Sequence, residues 1–144
     1  MVKAFAVLGL LLGFLFLLQR PYDAAHEDAS AQAVAVDFGL FRNEVFRFVA
    51  ANRDHDGEIP LAALSLPESR RPLRQWRSRV ADGRCYVYGE ASVEEMEAAR
   101  QVFWGSLAIG MAENGRLVPV LTRSPIAVPA FVPDGNLVSV TEMP

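Results

Sequence analysis

The sequence is poor in the residue types that build reactive and metal-binding sites. It contains one cysteine (Cys85), two histidines (His26 and His55) and one lysine (Lys3). Disulfide frameworks need paired cysteines, and zinc sites need ligands at short spacings that neither histidine has. The Gly-x-Ser-x-Gly and Ser-x-x-Lys motifs of serine-dependent enzymes are also missing from the sequence. We therefore predict a non-enzymatic protein with no catalytic residues, metal or cofactor, in which Cys85 is a buried strand residue.

The sequence also has no excess of positive over negative charge. The formal net charge is −3 at pH 7, with 14 Lys and Arg against 17 Asp and Glu. Nucleic-acid-binding domains are typically basic, so the composition predicts no nucleic-acid partner. Roughly 120 residues follow the apolar N-terminus, which is enough for one domain and too few for two.

One segment resembles an ion-binding loop without completing it. Residues Asn52–Ile59 copy the first half of a calcium-binding EF-hand loop, with Gly57 at its sixth position. The twelfth position, which supplies two oxygens from a glutamate in an EF-hand, is Ala63. Because too few oxygen ligands remain, we interpret the segment as a polar helix exit in which Asp and Gly form a turn.

The longest apolar run lies at the N-terminus, where fifteen apolar or glycine residues extend from Ala4 to Leu18. A helix of this length rises about 22 Å, and flanking charges can reach the head groups of a hydrocarbon core about 30 Å thick. We predict that residues 1–21 form a transmembrane signal anchor, with residues 4–18 in contact with membrane lipid. A cleaved signal peptide is the alternative, but the nearest Ala-x-Ala site, Ala29–Ala31, lies far beyond the apolar run.

The charges around this run predict its orientation. Lys3 and the amino terminus precede the apolar residues, and positive short flanks stay on the cytoplasmic side. Residues 22–144 should therefore form one domain on the far side of the membrane.

Residues 24–52 have the spacing of an amphipathic stalk helix. Apolar residues follow at intervals of four and three: Val34, Phe38, Phe41, Val45 and Phe48. Additional apolar positions widen this face, so we expect the helix to pack on a sheet; a coiled-coil dimer through this face is the alternative. Residues 60–72 contain three prolines and predict an extended loop.

Residues 73–141 carry the signals of a sheet region. Asp82-Gly83 and Asn114-Gly115 are typical of two-residue hairpin turns, and β-forming residues flank both pairs. Ser92 and Glu95 form a capping box, which predicts a helix of about eleven residues between the hairpins.

Three prolines after the second hairpin predict an irregular crossing to a last strand at Leu137–Val140. The predicted fold is α+β in the order α-ββ-α-ββ-β: an N-terminal transmembrane helix and a stalk helix, then an antiparallel sheet of about five strands with one inserted helix.

Five arginines crowd ten residues of this acidic protein: Arg70, Arg71, Arg74, Arg77 and Arg79. Strand alternation places Arg77 and Arg79 on one face. One interpretation is a solvated sheet edge that deters pairing with other molecules. The other is a docking patch for an acidic protein or for lipid phosphates near the anchor. These five residues are the candidate interaction patch.

Several short segments of the domain stand in a distinctive order and spacing: Leu61–Pro67, Trp76, Asp82–Gly89, Gly105–Gly110, Asn114-Gly115 and Val132–Val138. In these segments the sequence resembles the PilM family of conjugative-plasmid thin (type IV) pilus systems. That family differs from the actin-like cytoplasmic protein of the same name. The resemblance covers most of residues 1–140.

The resemblance implies a component of the pilin-transport or pilus biogenesis apparatus in conjugation, acting by contact. It implies location in the bacterial inner membrane with a periplasmic C-terminal domain, and other pilus-assembly proteins of that membrane as partners. A homo-oligomer remains open, and the family offers no binding residues to carry over.

Two alternatives belong to other classes. A pilin- or pseudopilin-like subunit also joins an apolar helix to an α+β head, but a prepilin needs a basic leader ending in Gly and an early Glu, and residues 4–18 contain no acid. A secreted small periplasmic domain would require the signal peptide to be cleaved.

Overall fold

A computed structural model describes residues 2–67, 71–106, 108–118 and 126–143, with side chains from residue 26 onward. Helix α1 runs without interruption through Val2–Ala51. The sequence predicted a new helix after Pro21, but Pro21 removes only one backbone donor and does not end the helix. The side chains of the predicted anchor, residues 1–21, lie outside the described part.

In the part of the chain that the structure describes, no helix combines the length and apolar character that a membrane crossing requires.

The C-terminal part is a fully antiparallel sheet of seven described strands in the spatial order β1-β2-β3-β7-β4-β5-β6. The strands are β1 (Gly57–Glu58), β2 (Arg77–Ala81), β3 (Arg84–Glu90), β4 (Ile109–Glu113), β5 (Arg116–Val118), β6 (Ile126–Ala127) and β7 (Asn136–Glu142). The last strand, β7, lies in the centre between β3 and β4. The predicted α+β class is confirmed.

The prediction of about five strands is wrong, because β1 and β6 were not expected. Each has only two residues, too few to show an alternating pattern, and each forms by pairing with a longer strand. Strand β1 pairs with β2 at Arg79 and Val80 but does not reach Arg77, so the solvated-edge interpretation stays a prediction.

Both predicted hairpins are confirmed. Asp82 and Gly83 have φ of 52° and 71°, and Asn114 and Gly115 have φ of 50° and 71°. Positive φ at both central residues is the geometry of a type I′ turn, whose twist matches that of the flanking strands. These turns set the registers of β2 with β3 and of β4 with β5.

Two helices cover one face of the sheet. Helix α2 spans Val93–Val102, and its predicted capping box is present between Ser92 and Glu95. The main core lies between the helices and the sheet, where Phe38 and Val45 of α1 are fully buried with Val87 of β3. This confirms that the apolar face of α1 packs on a sheet.

The other face of the sheet is covered by chain that has no helix. Tyr86, Tyr88 and Val138 are buried there beneath the segment that carries Phe131. The ring of Phe131 lies edge-on to Tyr86, with centroids 5.4 Å apart. The predicted crossing between the prolines thus forms a second small core, although residues 119–125 lie outside the described part.

The predicted loop over residues 60–72 includes one short regular piece. Leu61–Ala63 form a single 3-10 turn after Pro60. The rest of the loop that the structure describes, up to residue 67 and from residue 71, has no helix or strand.

Candidate functional site

The segment from Arg71 to Arg79 connects the surface of α1 with strand β2. Arg70, the first residue of the candidate patch, lies outside the described residues. The other four arginines do not form one cluster, because their side chains meet different parts of the fold.

A buried carboxylate fixes the middle of this segment to α1. Asp37, which is 6% exposed, accepts hydrogen bonds at Oδ2 from the backbone N–H of Leu73 (2.9 Å) and from Nε1 of Trp76 (2.8 Å). The Trp76 ring packs edge-on against Phe38 at 4.9 Å between centroids. On its other side, a Cβ at Gly89 would lie 2.5 Å from the ring, so only glycine allows this approach.

Arg74 is bound to helix α2. Its guanidinium forms an ion pair with Glu95, with Nε 3.3 Å from Oε2. The same carboxylate accepts the backbone N–H of Ser92 at 2.9 Å. Burial acts to raise the pKa of Glu95, but the hydrogen bonds from Arg74 and Ser92 and the charge of Arg74 bring that pKa below its ordinary value. Arg74 therefore holds the segment to the start of α2.

Arg77 and Arg79 lie on the sheet face opposite the helices, opposite Tyr88 and Tyr86 in the register. The guanidinium carbon of Arg79 lies 4.7 Å from the centre of the Phe131 ring, which is a cation–π contact. Its Nε is buried and has no hydrogen-bond partner among the described residues. Arg79 thus belongs to the second core.

Arg77 is exposed and borders an open groove of about 580 Å³. Tyr88, Gln75 and Pro133 line the same groove. Burial raises the pKa of Tyr88, and the charge of Glu58 adds to the rise, while Arg77 and Arg79 act against it. Arg77 is the member of the patch on this face whose charge remains open to solvent.

A further charged side chain, Arg42 of α1, was not singled out from the sequence. Its Nε donates to Ser139 Oγ at 2.7 Å, and its guanidinium carbon lies 4.2 Å from the centre of the Phe46 ring. Burial lowers the pKa of Arg42. Arg42 ties α1 to the central strand β7.

Cys85 lies on β3, buried on the helix-facing side, as predicted. Burial raises the pKa of its thiol to about 11, and the charge of Arg42 acts in the opposite direction. A thiol with this pKa stays protonated at neutral pH and is a poor nucleophile.

The half EF-hand segment forms the exit from α1. Asn52 Nδ2 donates to the carbonyl of Phe48 at 2.8 Å, and the N–H of His55 donates to the carbonyl of Asn52 at 3.0 Å. Gly57, with φ of 98°, then begins β1. No group of three or more His, Cys, Asp or Glu side chains suited to a metal occurs in the described ranges.

Sequence reasoning missed Asp37 and assigned Glu95 only its capping role. A signal for Asp37 exists, since it is an acid between two apolar residues, Val36 and Phe38, on the helix that covers the sheet. A charged residue in such a place is rarely buried unless it is paired.

The comparisons with known proteins bear on the whole chain. The PilM family model matches residues 7–140. The chain belongs to the PilM family. This membership indicates a role related to pilus biogenesis.

Among solved structures, the chain is similar to the crystal structure of a PilM protein from Escherichia coli B7A. The two share 23% sequence identity and superpose with a TM-score of 0.59, over 78% of this chain and 92% of the other. This likeness supports the fold. No curated protein matches the sequence.

Proposed function

We propose that this member of the PilM family is a non-enzymatic inner-membrane component of the type IV (thin) pilus biogenesis and pilin transport apparatus used in conjugation. The observation that carries the proposal is the family match over residues 7–140. The match begins inside the apolar segment of residues 4–18 and continues through the sheet. The family model therefore includes most of the apolar segment as well as the domain.

Residues 4–18 anchor the protein in the bacterial inner membrane, and residues 22–144 lie in the periplasm. Lys3 and the amino terminus on one side of the apolar run support this orientation. The unbroken course of helix α1 supports the anchor itself, because it links the apolar run directly to the packed domain.

The protein acts by contact. Among the described residues, three charged side chains in the packed domain already have structural partners: Asp37 accepts from Trp76, Glu95 pairs with Arg74, and Arg42 donates to Ser139. The thiol of Cys85 is protonated at neutral pH because of its raised pKa.

Other pilus-assembly proteins of the inner membrane are the partners. Within the five-arginine patch, Arg71 and Arg77 are exposed on different sides of the segment that joins α1 to β2. They can meet acidic side chains of a partner without losing an internal ion pair, in contrast to Arg74.

A gene deletion tests the proposal. Donor cells that lack this protein should lose thin pili and conjugative transfer while still synthesising pilin, and the wild-type gene should restore both. A matched control gene, in which residues 1–21 are replaced by a cleavable export signal, delivers residues 22–144 to the periplasm without an anchor and should fail to restore them. Normal pilus assembly in the deletion strain would contradict the proposal.

A further inference from the structure

Helix α1 has a second apolar stripe on the side away from the sheet. Its members are Ala29, Ala33, Val36 and Leu40, at intervals of four, three and four residues, and all four are exposed. Val36 is 45% exposed and Leu40 is 36% exposed, although both lie on a helix whose other side is fully buried. The stripe differs from the face that the sequence suggested for a coiled coil, because that face packs on the sheet.

The stripe continues into a groove. Arg71 and Leu73 rise beside α1 and, with Ala29, Ala33 and Val36, enclose about 630 Å³ of open space. Leu73 is 56% exposed, so the groove wall is apolar as well. Alanines at positions 29 and 33 let another helix approach closely, while Val36 and Leu40 supply larger side chains for packing.

We propose that this stripe is a parallel two-fold interface with a second copy of the same chain. The proposal rests on the proposed function, because an anchor at residues 4–18 on the same continuous helix gives all copies one orientation and one height. Two such helices present identical stripes side by side, which is the arrangement of a parallel two-stranded coiled coil.

The charges on the two sides of the stripe fit this pairing. Arg71 lies two residues before Leu73, whose backbone N–H donates to Asp37, so this segment runs along the side of the stripe that carries Asp37. Asp28 is exposed on the other side, since each residue turns the helix by about 100°. In a parallel two-fold pair, the Arg71 side of the stripe on one helix meets the Asp28 side of the stripe on the other helix. Arg71 of one copy then lies near Asp28 of the second copy.

Disulfide crosslinking of the full chain in native membranes tests the inference. The only natural cysteine, Cys85, is buried, so an introduced cysteine reports its own position. Under mild oxidation, Ala33→Cys should give a homodimer of twice 15.8 kDa. The control Ser30→Cys lies on the same helix, about 60° around the helix axis from Ala33 and outside the stripe, and should give at least tenfold less homodimer.

Two further variants separate packing from charge. Leu40→Glu in the Ala33→Cys background should lower the crosslinked fraction at least fivefold. Val93→Glu, at an exposed apolar residue of α2, should leave that fraction unchanged. Asp28→Arg should weaken the dimer, and the charge swap Asp28→Arg with Arg71→Asp should restore it.

Alkaline extraction of the same membranes keeps the two proposals apart. Three outcomes with membrane-bound protein would overturn the dimer and leave the anchor standing. They are no Ala33→Cys homodimer, equal crosslinking at positions 30 and 33, and an adduct with a protein of another mass. Extraction of the protein as a soluble species would overturn the anchor and, with it, the parallel pairing.

Discussion

Asp37 of helix α1 accepts a 2.8 Å hydrogen bond from Nε1 of Trp76, a residue 39 positions later in the chain. Both side chains are buried, and the same carboxylate oxygen accepts the backbone N–H of Leu73. A buried carboxylate is stable only when its charge is satisfied by donors of this kind. The pair therefore joins the long helix to the segment that leads into the sheet.

Removal of this carboxylate should destabilise the domain. Asp37→Leu leaves the buried Nε1 donor of Trp76 and the part-buried N–H of Leu73 without an acceptor, and we expect a loss of about 2–3 kcal/mol in the free energy of unfolding. Asp37→Asn keeps one acceptor oxygen and should lose about half as much. Urea unfolding of the full chain in detergent micelles measures both, with Trp104→Phe as the background so that Trp76 is the only tryptophan. Equal stability of the Leu variant and the parent would contradict this role.

Acidification should weaken the contact between α2 and the segment at Arg74. The folded-state pKa of Glu95 is lower than its ordinary value of 4.5. A carboxyl of this kind stabilises the fold above its unfolded-state pKa and loses that contribution as the pH falls through its folded-state pKa. We expect Glu95→Gln to be less stable than the parent at neutral pH and to lose less stability than the parent below about pH 4.5.

The control for this pH series is Glu97→Gln on the same helix. Glu97 pairs with Arg100 at the surface, and such pairs contribute little. Its stability curve against pH should follow that of the parent, and a curve for Glu95→Gln that also follows the parent would exclude the assigned contribution.

A methyl group at Gly89 should be poorly tolerated. The added Cβ would lie 2.5 Å from the Trp76 ring and 3.0 Å from the carbonyl oxygen of Gln75. We expect Gly89→Ala to cost about 1–3 kcal/mol, as other overpacked cores do. In a Trp76→Phe background, the smaller ring leaves room, so the cost of Gly89→Ala should fall. A double-mutant cycle from thermal unfolding measures the coupling, and additive effects would argue against this close approach.

Cys85 should be nearly unreactive in the folded protein. With a pKa of about 11 and a buried side chain, its thiolate is scarce at pH 8 and shielded from reagents. We expect thiol labelling to be at least a hundredfold slower in the folded protein than in urea. Rapid labelling without denaturant would mean that β3 is accessible.

Local signals predicted the parts of the fold that depend on near neighbours. The Asn114-Gly115 turn and the Ser92 cap act within four residues, so their chemistry is legible in the sequence. The two-residue strands β1 and β6 carry no pattern of their own and form by pairing, β1 with Val80 in the distant strand β2 and β6 with Leu117 in strand β5.

The contacts of the arginine patch also depend on residues that are distant in the sequence. Alternation correctly put Arg77 and Arg79 on one face, but no local signal pairs Arg74 with Glu95 or lays Arg79 on Phe131. Those contacts are set by how the helices and the crossing segment pack on the sheet. The density of arginines in the sequence was therefore enough to single out this segment. It was not enough to predict which side chain each arginine contacts.

The most direct test of the account is protease treatment of intact spheroplasts, followed by mass measurement of what stays in the membrane. We expect the external protease to remove the sheet domain and to leave an uncleaved N-terminal fragment that begins at or next to Met1 and contains residues 4–18. Full protection of the domain until the membrane is broken, or a mature chain beginning near Ala31 and released with the periplasm, would contradict it.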